Sequence, residues 1–334
     1  MISLEFTDTN DMEQLAAQHG LTLPIEQTSI WAKYQSTVEG RNPWGAYIIK
    51  RDGEPIAFIS LIDYQTHGYH YLRSVHGPAW LDKPSDDLEA EVRDALVRDI
   101  HERDAHVVFL RIDLWHFEGT FPVLSTVPYS ETVIVDLSGG DDEILARMKK
   151  RGRRDVRKSL RESPAVCADE THQALDDFSE YYDVMVETAR RDGFAPAPMQ
   201  DYVDMLSELG PDHARVFAAR ISGKVVAWSI VTVNRNHAVY YYACMRTEVM
   251  QQHVPDKLLY TICCMMGQQG CTQIDLMGIG NDFAPSLKSL NTFKTKFSEN
   301  TVQTAAGRDI PINTVFYRAL TLLQSIRHAL RRKR

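Results

Sequence analysis

Apolar residues recur along the chain at two spacings, and these spacings predict a mixture of helices and strands. Positions three and four residues apart predict amphipathic helices, whereas short runs of β-branched and aromatic residues bounded by turn residues predict strands. The Asp52-Gly53 pair between two such runs predicts a hairpin. In the first 140 residues the pattern predicts helices at 11–19, 30–38 and 86–103, and strands at 45–50, 55–61, 107–113 and 129–137.

The rest of the chain repeats this order of elements. Helices are followed by hairpin-linked strands, then by one more helix and a strand, and the first 140 residues show a looser version of the same order. Two related domains of the mixed α/β (α+β) class are the simplest interpretation. The predicted helices are 141–163, 175–191, 198–209 and 256–269, and the predicted strands are 215–220, 224–230, 238–243 and 274–278.

Length and charge refine this picture. A chain of 334 residues favours two domains of ordinary size, and a formal net charge of −8 argues against a nucleic-acid protein as a whole. Charge is unevenly distributed, because nine of the fifteen residues from 147 to 161 are Lys or Arg. Both a solvated helix face and a phosphate-binding face fit this run, and phosphates would relieve the repulsion between its like charges.

Cysteine usage and apolar runs indicate the compartment. The five cysteines include an adjacent pair and no CxxC spacing, so we expect reduced core thiols, with neither a disulfide framework nor a metal site. The first residues lack the charged and apolar regions of a secretory signal, and no stretch of eighteen uninterrupted apolar residues occurs. These features predict a cytoplasmic protein.

Two segments at predicted strand ends carry candidate chemistry. The segment 291–297 brings Phe293 and Lys294 close to the end of the 274–278 strand, where cations suit an anionic substrate; a solvated amphipathic edge is the alternative. Asp113 ends the 107–113 strand, a position that suits a general base.

The order of strands, helix and strand resembles the acyltransferase fold of the GNAT superfamily. In that superfamily, backbone amides of a glycine-containing loop between strand and helix hold the pyrophosphate of acetyl-CoA. The corresponding loop here, residues 251–257, has no glycine, and Pro255 removes one amide donor. We therefore expect no acetyl-CoA and no other cofactor.

The chain further resembles the FemABX family of nonribosomal peptidyl transferases over nearly its whole length. The resemblance implies two tandem GNAT-like acyltransferase domains, residues 1–140 with 308–334 and residues 141–307, without the coiled-coil arm of some members. The motifs that carry it are Trp31-Ala32-Lys33, Leu110-Arg111-Ile112-Asp113, the basic helix 147–161, Arg215-Val216-Phe217-Ala218, Tyr240-Tyr241-Tyr242-Ala243, Ile274-Asp275-Leu276-Met277-Gly278 and Phe293-Lys294-Thr295-Lys296-Phe297.

The family implies aminoacyl transfer from aminoacyl-tRNA to the side-chain amine of the third residue of the peptidoglycan pentapeptide, carried by UDP-MurNAc or by lipid II. By resemblance, Lys294 contacts the tRNA acceptor end and helps to stabilise the oxyanion, with Phe293 beside it at the catalytic site. Asp113 is a general base or a positioning residue, because the family also offers a substrate-assisted route. The tRNA would lie on Lys149, Lys150, Arg153, Arg154, Arg157 and Lys158.

The precursor side is implied by the same resemblance. Lys33 and Arg215 would hold the diphosphate, with Trp31 and Tyr241 beside the precursor. Without the resemblance, Lys33 is interpreted as an exposed helix lysine, Arg215 as part of a strand-end salt bridge, and at least one of the tyrosines 240–242 as a core residue.

Several alternatives stay open at this stage. The basic tail 327–334 suits tRNA contact, peripheral contact with anionic lipid at the inner membrane face, or a disordered solubilising end. We expect a monomer. A CoA-dependent N-acyltransferase and a noncatalytic module that binds tRNA or a wall precursor are the competing functions.

Overall fold

A computed structural model describes residues 1–123 and 126–331, with side chains described as far as residue 323. The chain divides into two compact units, Met1–Tyr129 with Thr304–Arg334, and Ser130–Gln303. The first segment contains the strands β1 (Ile2–Thr7), β2 (Arg41–Arg51), β3 (Glu54–Thr66), β4 (Tyr69–Arg73), β5 (Ala79–Trp80), β6 (Val107–Leu114) and β7 (Phe121–Pro122), and the helices α1 (Thr9–Gln18), α2 (Ser29–Gln35) and α3 (Asp86–Arg103).

The segment that follows builds the second unit, and the end of the chain returns to the first. The second unit contains the strands β8 (Glu131–Asp136), β9 (Val166–Asp169), β10 (Ala214–Ile221), β11 (Lys224–Asn234), β12 (His237–Met245), β13 (Gln273–Gly278) and β14 (Thr301–Gln303). Its helices are α4 (Asp141–Arg147), α5 (Lys150–Glu162), α6 (Thr171–Asp176), α7 (Ser179–Asp192), α8 (Met199–His213), α9 (Val254–Gln268) and α10 (Lys288–Lys294). The returning segment contains β15 (Ala306–Pro311) and α11 (Thr314–Arg331).

The first unit is built on a sheet in the order β1-β2-β3-β4-β6-β15-β7, with β5 against β3. The β4 and β6 strands are parallel, and α3 makes the crossover between them. Helix α3 buries Val92, Leu96 and Ile100 against the strands, while α1 buries Met12 and Ala16 against a separate apolar cluster. Both helices are thus amphipathic, as their apolar spacing predicts.

The second unit is built on a sheet in the order β14-β8-β13-β12-β11-β10-β9. Here β12 and β13 are the parallel pair, and α9 makes the crossover. Most side chains of α9 are buried, which agrees with its nearly continuous apolar sequence. Helices α4 and α5 both pack on α9, so the basic helix lies against the core of this unit.

The structure divides the predicted helix 141–163 into two helices. Met148, between α4 and α5, has an extended backbone (ψ 154°) and is completely buried. The predicted helix 175–191 likewise begins later, at Ser179, after the separate helix α6. The exposed edge strand β14 and the short strand β9 were not predicted, since three and four residues carry too little alternation.

Strand pairing also moves the predicted domain boundaries. The β8 strand pairs with β13 and β14, and its Val133 and Val135 are buried in the core of the second unit, so residues 131–140 belong there. The β15 strand begins at Ala306 and pairs with β6 in the first sheet, so the return begins before residue 308. Among the described helices none exceeds eighteen residues, and no long coiled-coil arm occurs in that part of the chain.

A buried ion pair attaches the returning segment to the first unit. The Arg111 guanidinium on β6 donates from Nε to Asp309 Oδ1 (2.6 Å) and from a terminal nitrogen to Asp309 Oδ2 (2.9 Å). The Tyr317 hydroxyl on α11 donates to the same carboxylate at 3.0 Å. Because all three groups are buried, each charge depends on its partners.

We expect Arg111→Met to lower the free energy of unfolding of the first unit by about 3–5 kcal/mol, because it leaves the Asp309 carboxylate buried without its counter-ion. Urea denaturation measures this change. The double variant Arg111→Met with Asp309→Leu restores most of the loss, since neither charge then remains. An equal loss in the double variant would show that the ion pair is not the source.

Candidate active site

The parallel strands of the second unit separate at their carboxyl ends. Pairing between β12 and β13 covers only His237–Val239 against Gln273–Asp275, after which the strands diverge. The gap opens into a cavity of about 550 Å³. Its walls combine apolar groups with three cations and one carboxylate, and ligand sites commonly have such a mixture. Among the lining residues are Tyr240, Tyr241, Met245, Asp256, Met277, Phe293, Lys294 and Lys296.

Irregularities in both strands shape this cavity. On β12, Tyr240 pairs with Val231 and Tyr242 pairs with Ile230, so Tyr241 is the extra residue of a β-bulge. On β13, Met277 has a positive φ of 61° and its N–H donates to Asp275 Oδ1 at 2.6 Å. The bulge breaks the alternation of the strand, which explains why both Tyr240 and Tyr241 line the cavity.

Lys294 is one of the three cations that line the cavity. It is the last residue of α10, its exposed fraction is 9%, and its Nζ donates to the carbonyl oxygen of Gly278 at 2.8 Å. Burial lowers the pKa of Lys294 from 10.5 to about 8, and the nearby Asp275 carboxylate opposes this shift. At neutral pH the ammonium is still mostly protonated, so the cavity contains a poorly solvated positive charge.

The second lysine of the segment has a structural role. Lys296 Nζ forms ion pairs with Asp256 and with Asp155 (3.7 Å), and all three side chains are buried. Its ammonium also lies 5.1 Å from the ring of Phe293, which packs edge-on against Phe297. Sequence reasoning quoted Lys296 only as part of a motif and assigned it no role.

Backbone contacts bring the basic helix directly against this segment. The Lys149 N–H donates to the Lys296 carbonyl oxygen at 3.2 Å. A Cβ atom at Gly152 would collide with the same oxygen, so the helix approaches this closely because residue 152 is glycine. Asp155, the one acidic residue in the run 147–161, faces inward to Lys296. Its isolation among basic residues was a sequence signal for this inward role.

The outer face of α5 forms an open hollow of about 800 Å³ lined only by cations. Not all of them are equally available to a ligand. Arg153 donates to the Ala146 carbonyl (3.1 Å) and the Met148 carbonyl at the end of α4, and Arg154 pairs with Asp155 at 3.0 Å. Arg157 has no hydrogen-bond or ion-pair partner among the described residues. The lining residues are Lys150, Arg151, Arg153, Arg154, Arg157, Lys158 and Arg161.

Three predicted site residues lie in the first unit. Asp113 is near the end of β6, where its Oδ2 accepts the His76 N–H at 3.1 Å and lies 3.3 Å from His76 Nδ1. Trp31 on α2 is buried and packs edge-on against Tyr34 at 5.1 Å between ring centroids. Lys33 is on the exposed side of the same helix.

The structure does not place Arg215 at the cavity. Its guanidinium donates to the Pro211 carbonyl (2.9 Å), to Gln269 Oε1 (2.5 Å) and to Asp169 Oδ2 (3.3 Å), near the start of β10. The cavity lies at the carboxyl end of β12, and antiparallel pairing puts the start of β10 at the other end of the sheet. The strand-end salt bridge is thus the observed arrangement, and a role of Arg215 in diphosphate binding stays a prediction.

The described residues contain no group of three or more His, Cys, Asp or Glu side chains that could hold a metal ion. All five cysteines are free, and four of them are buried. Within the described ranges, no helix has both the length and the apolar composition needed to cross a membrane. Side chains of the basic tail 327–334 lie outside the described residues.

Comparisons with known proteins agree with this architecture. Residues 147–284 match the family model of the acetyltransferase (GNAT) domain. The chain is similar to the crystal structure of FemX, with 14% identity, coverage of 95% of this chain and 99% of FemX, and a TM-score of 0.72. No curated protein matches the chain.

Two further structures share the fold at lower similarity. The C-terminal domain of a putative lysylphosphatidylglycerol synthetase from Agrobacterium fabrum is 13% identical, with coverage of 93% of this chain and 96% of that chain, and a TM-score of 0.57. L-PGS from Bacillus licheniformis is 14% identical, with coverage of 96% of this chain and 97% of that chain, and a TM-score of 0.53.

The fold is therefore that of tandem GNAT-like acyltransferase domains. The resemblance to the FemABX family is confirmed in the fold, with FemX as the similar structure.

We expect Lys294→Met to be at least as stable as the natural protein at pH 7, with a gain on the order of 1–3 kcal/mol from the removed cost of burying a charge. Because the folded pKa is about 8 and the unfolded one 10.5, this cost is fully present below pH 8. It is lost as pH rises from 8 to 10.5, so the gain shrinks over this interval.

Urea denaturation of both proteins at pH 7 and pH 9.5 measures the difference in the free energy of unfolding. A large loss of stability in Lys294→Met at pH 7 would contradict the expectation, and would mean that the hydrogen bond to Gly278 outweighs the cost of burial.

Proposed function

We propose that this protein is an aminoacyltransferase, which moves an amino acid from aminoacyl-tRNA to the side-chain amine of the third residue of a peptidoglycan pentapeptide precursor. One observation carries the proposal: the Lys294 cavity and the basic helix α5 belong to one unit and are directly joined through Lys296. Aminoacyl-tRNA is an amino-acid ester carried by a polyanion. A cavity that accommodates the ester, beside a dense array of cations that binds the phosphates, suits such a substrate.

The chemistry needs stabilisation of charge more than a protein nucleophile. The precursor amine attacks the ester carbonyl carbon, a C–N bond forms, and the carbonyl oxygen becomes an oxyanion. When this intermediate collapses, the C–O bond to the terminal ribose breaks, the ribose oxygen takes up a proton and the attacking nitrogen loses one. The Lys294 ammonium stabilises the oxyanion, because its charge acts in a cavity where little water screens it.

The basic helix supplies the contacts to tRNA. Sequence-independent binding of a phosphate backbone needs a high density of cations, and the outer face of α5 supplies it. Side chains without a hydrogen-bond or ion-pair partner in the described part of the chain, that of Arg157 above all, are the strongest candidates. Arg153 contributes indirectly, because its bonds to the end of α4 fix the position of the helix start.

The acceptor is assigned to the first unit by the FemABX resemblance. Lys33, exposed on α2, and Trp31 on the same helix are the proposed contacts, with Tyr241 on the donor side at the cavity wall. Asp113 is proposed as a positioning residue or base for the attacking amine. Similarity in fold to FemX, and to the C-terminal domain of a putative lysylphosphatidylglycerol synthetase, supports an aminoacyl substrate.

A CoA-dependent acyltransferase is the second candidate, favoured by the match of residues 147–284 to the acetyltransferase model. The loop before α9 argues against it. Pro255 lies in the first turn of α9, and His253, not glycine, takes the positive φ of 56° at the helix start. This loop offers fewer free amides to a pyrophosphate than a glycine-rich loop does. Calorimetry with acetyl-CoA tests this candidate, and tight binding would favour it.

We expect Lys294→Met to lower the rate of aminoacyl transfer by about 100-fold or more, since the oxyanion loses its cation. The assay mixes the protein with UDP-MurNAc-pentapeptide or lipid II and with tRNA charged separately with alanine, serine and glycine. Mass spectrometry then detects a one-residue increment, which RNase treatment abolishes.

Lys288→Met is the matched control, because Lys288 begins the same helix but is exposed and paired with Asp282. This variant retains full activity. Equal activity in Lys294→Met and the natural protein would reject the proposed role, whereas tRNA and precursor binding without any increment would indicate a noncatalytic binding module.

We expect the double variant Arg157→Ala with Lys158→Ala to bind tRNA about tenfold more weakly at low salt, with a shallower dependence on salt concentration, because fewer counterions are released. Filter binding at several salt concentrations measures both quantities. The control pair Arg190→Ala with Lys224→Ala removes two exposed cations elsewhere in the second unit. A similar loss in the control would mean that net charge, and not α5, governs binding.

A further inference from the structure

The last helix of the first unit, α11, has apolar residues on two faces. On its inner face, Tyr317 is buried against Val108 and Phe109 of β6. Leu320 packs against the same cluster. The Tyr317 hydroxyl also donates to the buried Asp309 carboxylate at 3.0 Å. These contacts fix α11 against the sheet, so the opposite face of the helix is turned towards solvent.

This opposite face carries a second row of apolar residues, which we call the outer stripe. Spacings of one, four, seven and eight residues put its members on one side of a helix. The exposed fraction is 83% for Val315, 63% for Leu322 and 60% for Leu323. All members of the outer stripe are exposed, and they are Val315, Phe316, Ala319, Leu322 and Leu323.

The outer stripe differs from exposed apolar side chains elsewhere in the chain. Val166 lies on the strand β9 and Phe194 follows the end of α7, and neither belongs to a helical row. Single exposed apolar side chains of this kind are common on protein surfaces. Several of them on one face of a helix form a contiguous apolar area, and such an area marks a surface that another molecule or a membrane covers.

The charge around the outer stripe indicates the chemistry of its partner. In the sequence, residues 314–334 contain six Lys or Arg residues and no Asp or Glu, and five of the six fall within 327–334. The sixth, Arg318, is exposed and lies beside the stripe, three residues from Val315 and four from Leu322. An apolar face on a segment whose acidic and basic residues are all basic suits an anionic bilayer, where apolar side chains enter the headgroup region and cations meet lipid phosphates.

A second copy of the chain suits this surface less well. Two α11 helices packed stripe against stripe would bring cations of the same sign together, and the sequence of the helix has no carboxylate to offset them. Like charges placed together at an interface oppose association. The charge of the segment therefore favours a lipid surface over a symmetric dimer.

We propose that the outer stripe of α11 binds the first unit to the surface of an anionic lipid bilayer, with the helix lying in the plane of the headgroups. The exposed apolar row on a helix without acidic residues carries this inference. It goes beyond the proposed function and does not rest on it. Where that function holds, such binding favours the lipid-linked form of the acceptor.

Sedimentation of the full chain with lipid vesicles tests the proposal. One set of vesicles contains equal parts of phosphatidylcholine and phosphatidylglycerol, and the other contains phosphatidylcholine alone. We expect the natural protein to bind the phosphatidylglycerol vesicles about tenfold more tightly at low salt. The difference shrinks as the salt concentration rises, because salt screens the attraction between the cations and the lipid phosphates.

The test variant is Leu322→Ser with Leu323→Ser, which removes apolar area from the outer stripe and leaves every charge in place. We expect it to bind the phosphatidylglycerol vesicles about tenfold more weakly. Val315→Ser gives a smaller loss in the same direction. The matched control is Val166→Ser with Phe194→Ser, which removes two exposed apolar side chains outside α11 and changes the affinity less than twofold.

Equal binding by the test variant and the natural protein, or no binding of the natural protein to phosphatidylglycerol vesicles, overturns the proposal. Analytical ultracentrifugation without lipid examines the second copy. A dimer that Leu322→Ser with Leu323→Ser dissociates, in a protein that does not bind vesicles, would assign the outer stripe to a protein interface instead. Because these measurements use neither tRNA nor a wall precursor, their outcome is separate from that of the proposed function.

Discussion

The Lys296 ammonium, buried beside the carboxylates of Asp155 and Asp256, connects three parts of the second unit. Asp155 is on the basic helix, Asp256 is on the helix that crosses between the parallel strands, and Lys296 follows the helix that carries Lys294. Removal of one partner would leave a buried charge uncompensated, so the three elements hold one another in position. The wall of the cavity and the cationic surface are consequently parts of one packed structure.

The same burial that supports the fold shapes the chemistry. Among the described residues, no carboxylate forms an ion pair with Lys294 as Asp155 and Asp256 do with Lys296, and the Lys294 ammonium donates its hydrogen bond to a backbone carbonyl. Burial therefore disfavours its charged form, which lowers its pKa to about 8, whereas the paired Lys296 is stabilised by its counter-ions. Two lysines two residues apart thus differ in role: one maintains the structure, and the other brings a poorly solvated charge to the cavity.

Sequence patterns predicted most of the elements, including the hairpin at Asp52-Gly53 and the helix Asp86–Arg103, because apolar periodicity and turn residues are local signals. They did not predict the break at Met148 or the bulge at Tyr241. The ion-pair partner of Arg215 could not be predicted either, because Asp169 lies on a short strand that the pattern did not indicate.

The sequence by itself determined the two-part α/β organisation, the reduced cysteines, the dense cationic helix and the short list of lysines and aromatics near strand ends. The tertiary structure alone decided which of these cations face a cavity, which form ion pairs with carboxylates of the same unit, and which remain available for a ligand. The physical reason is that hydrophobic periodicity is a property of residues close together in the sequence. The solvation of a charge and the identity of its partner depend instead on residues that only folding brings together.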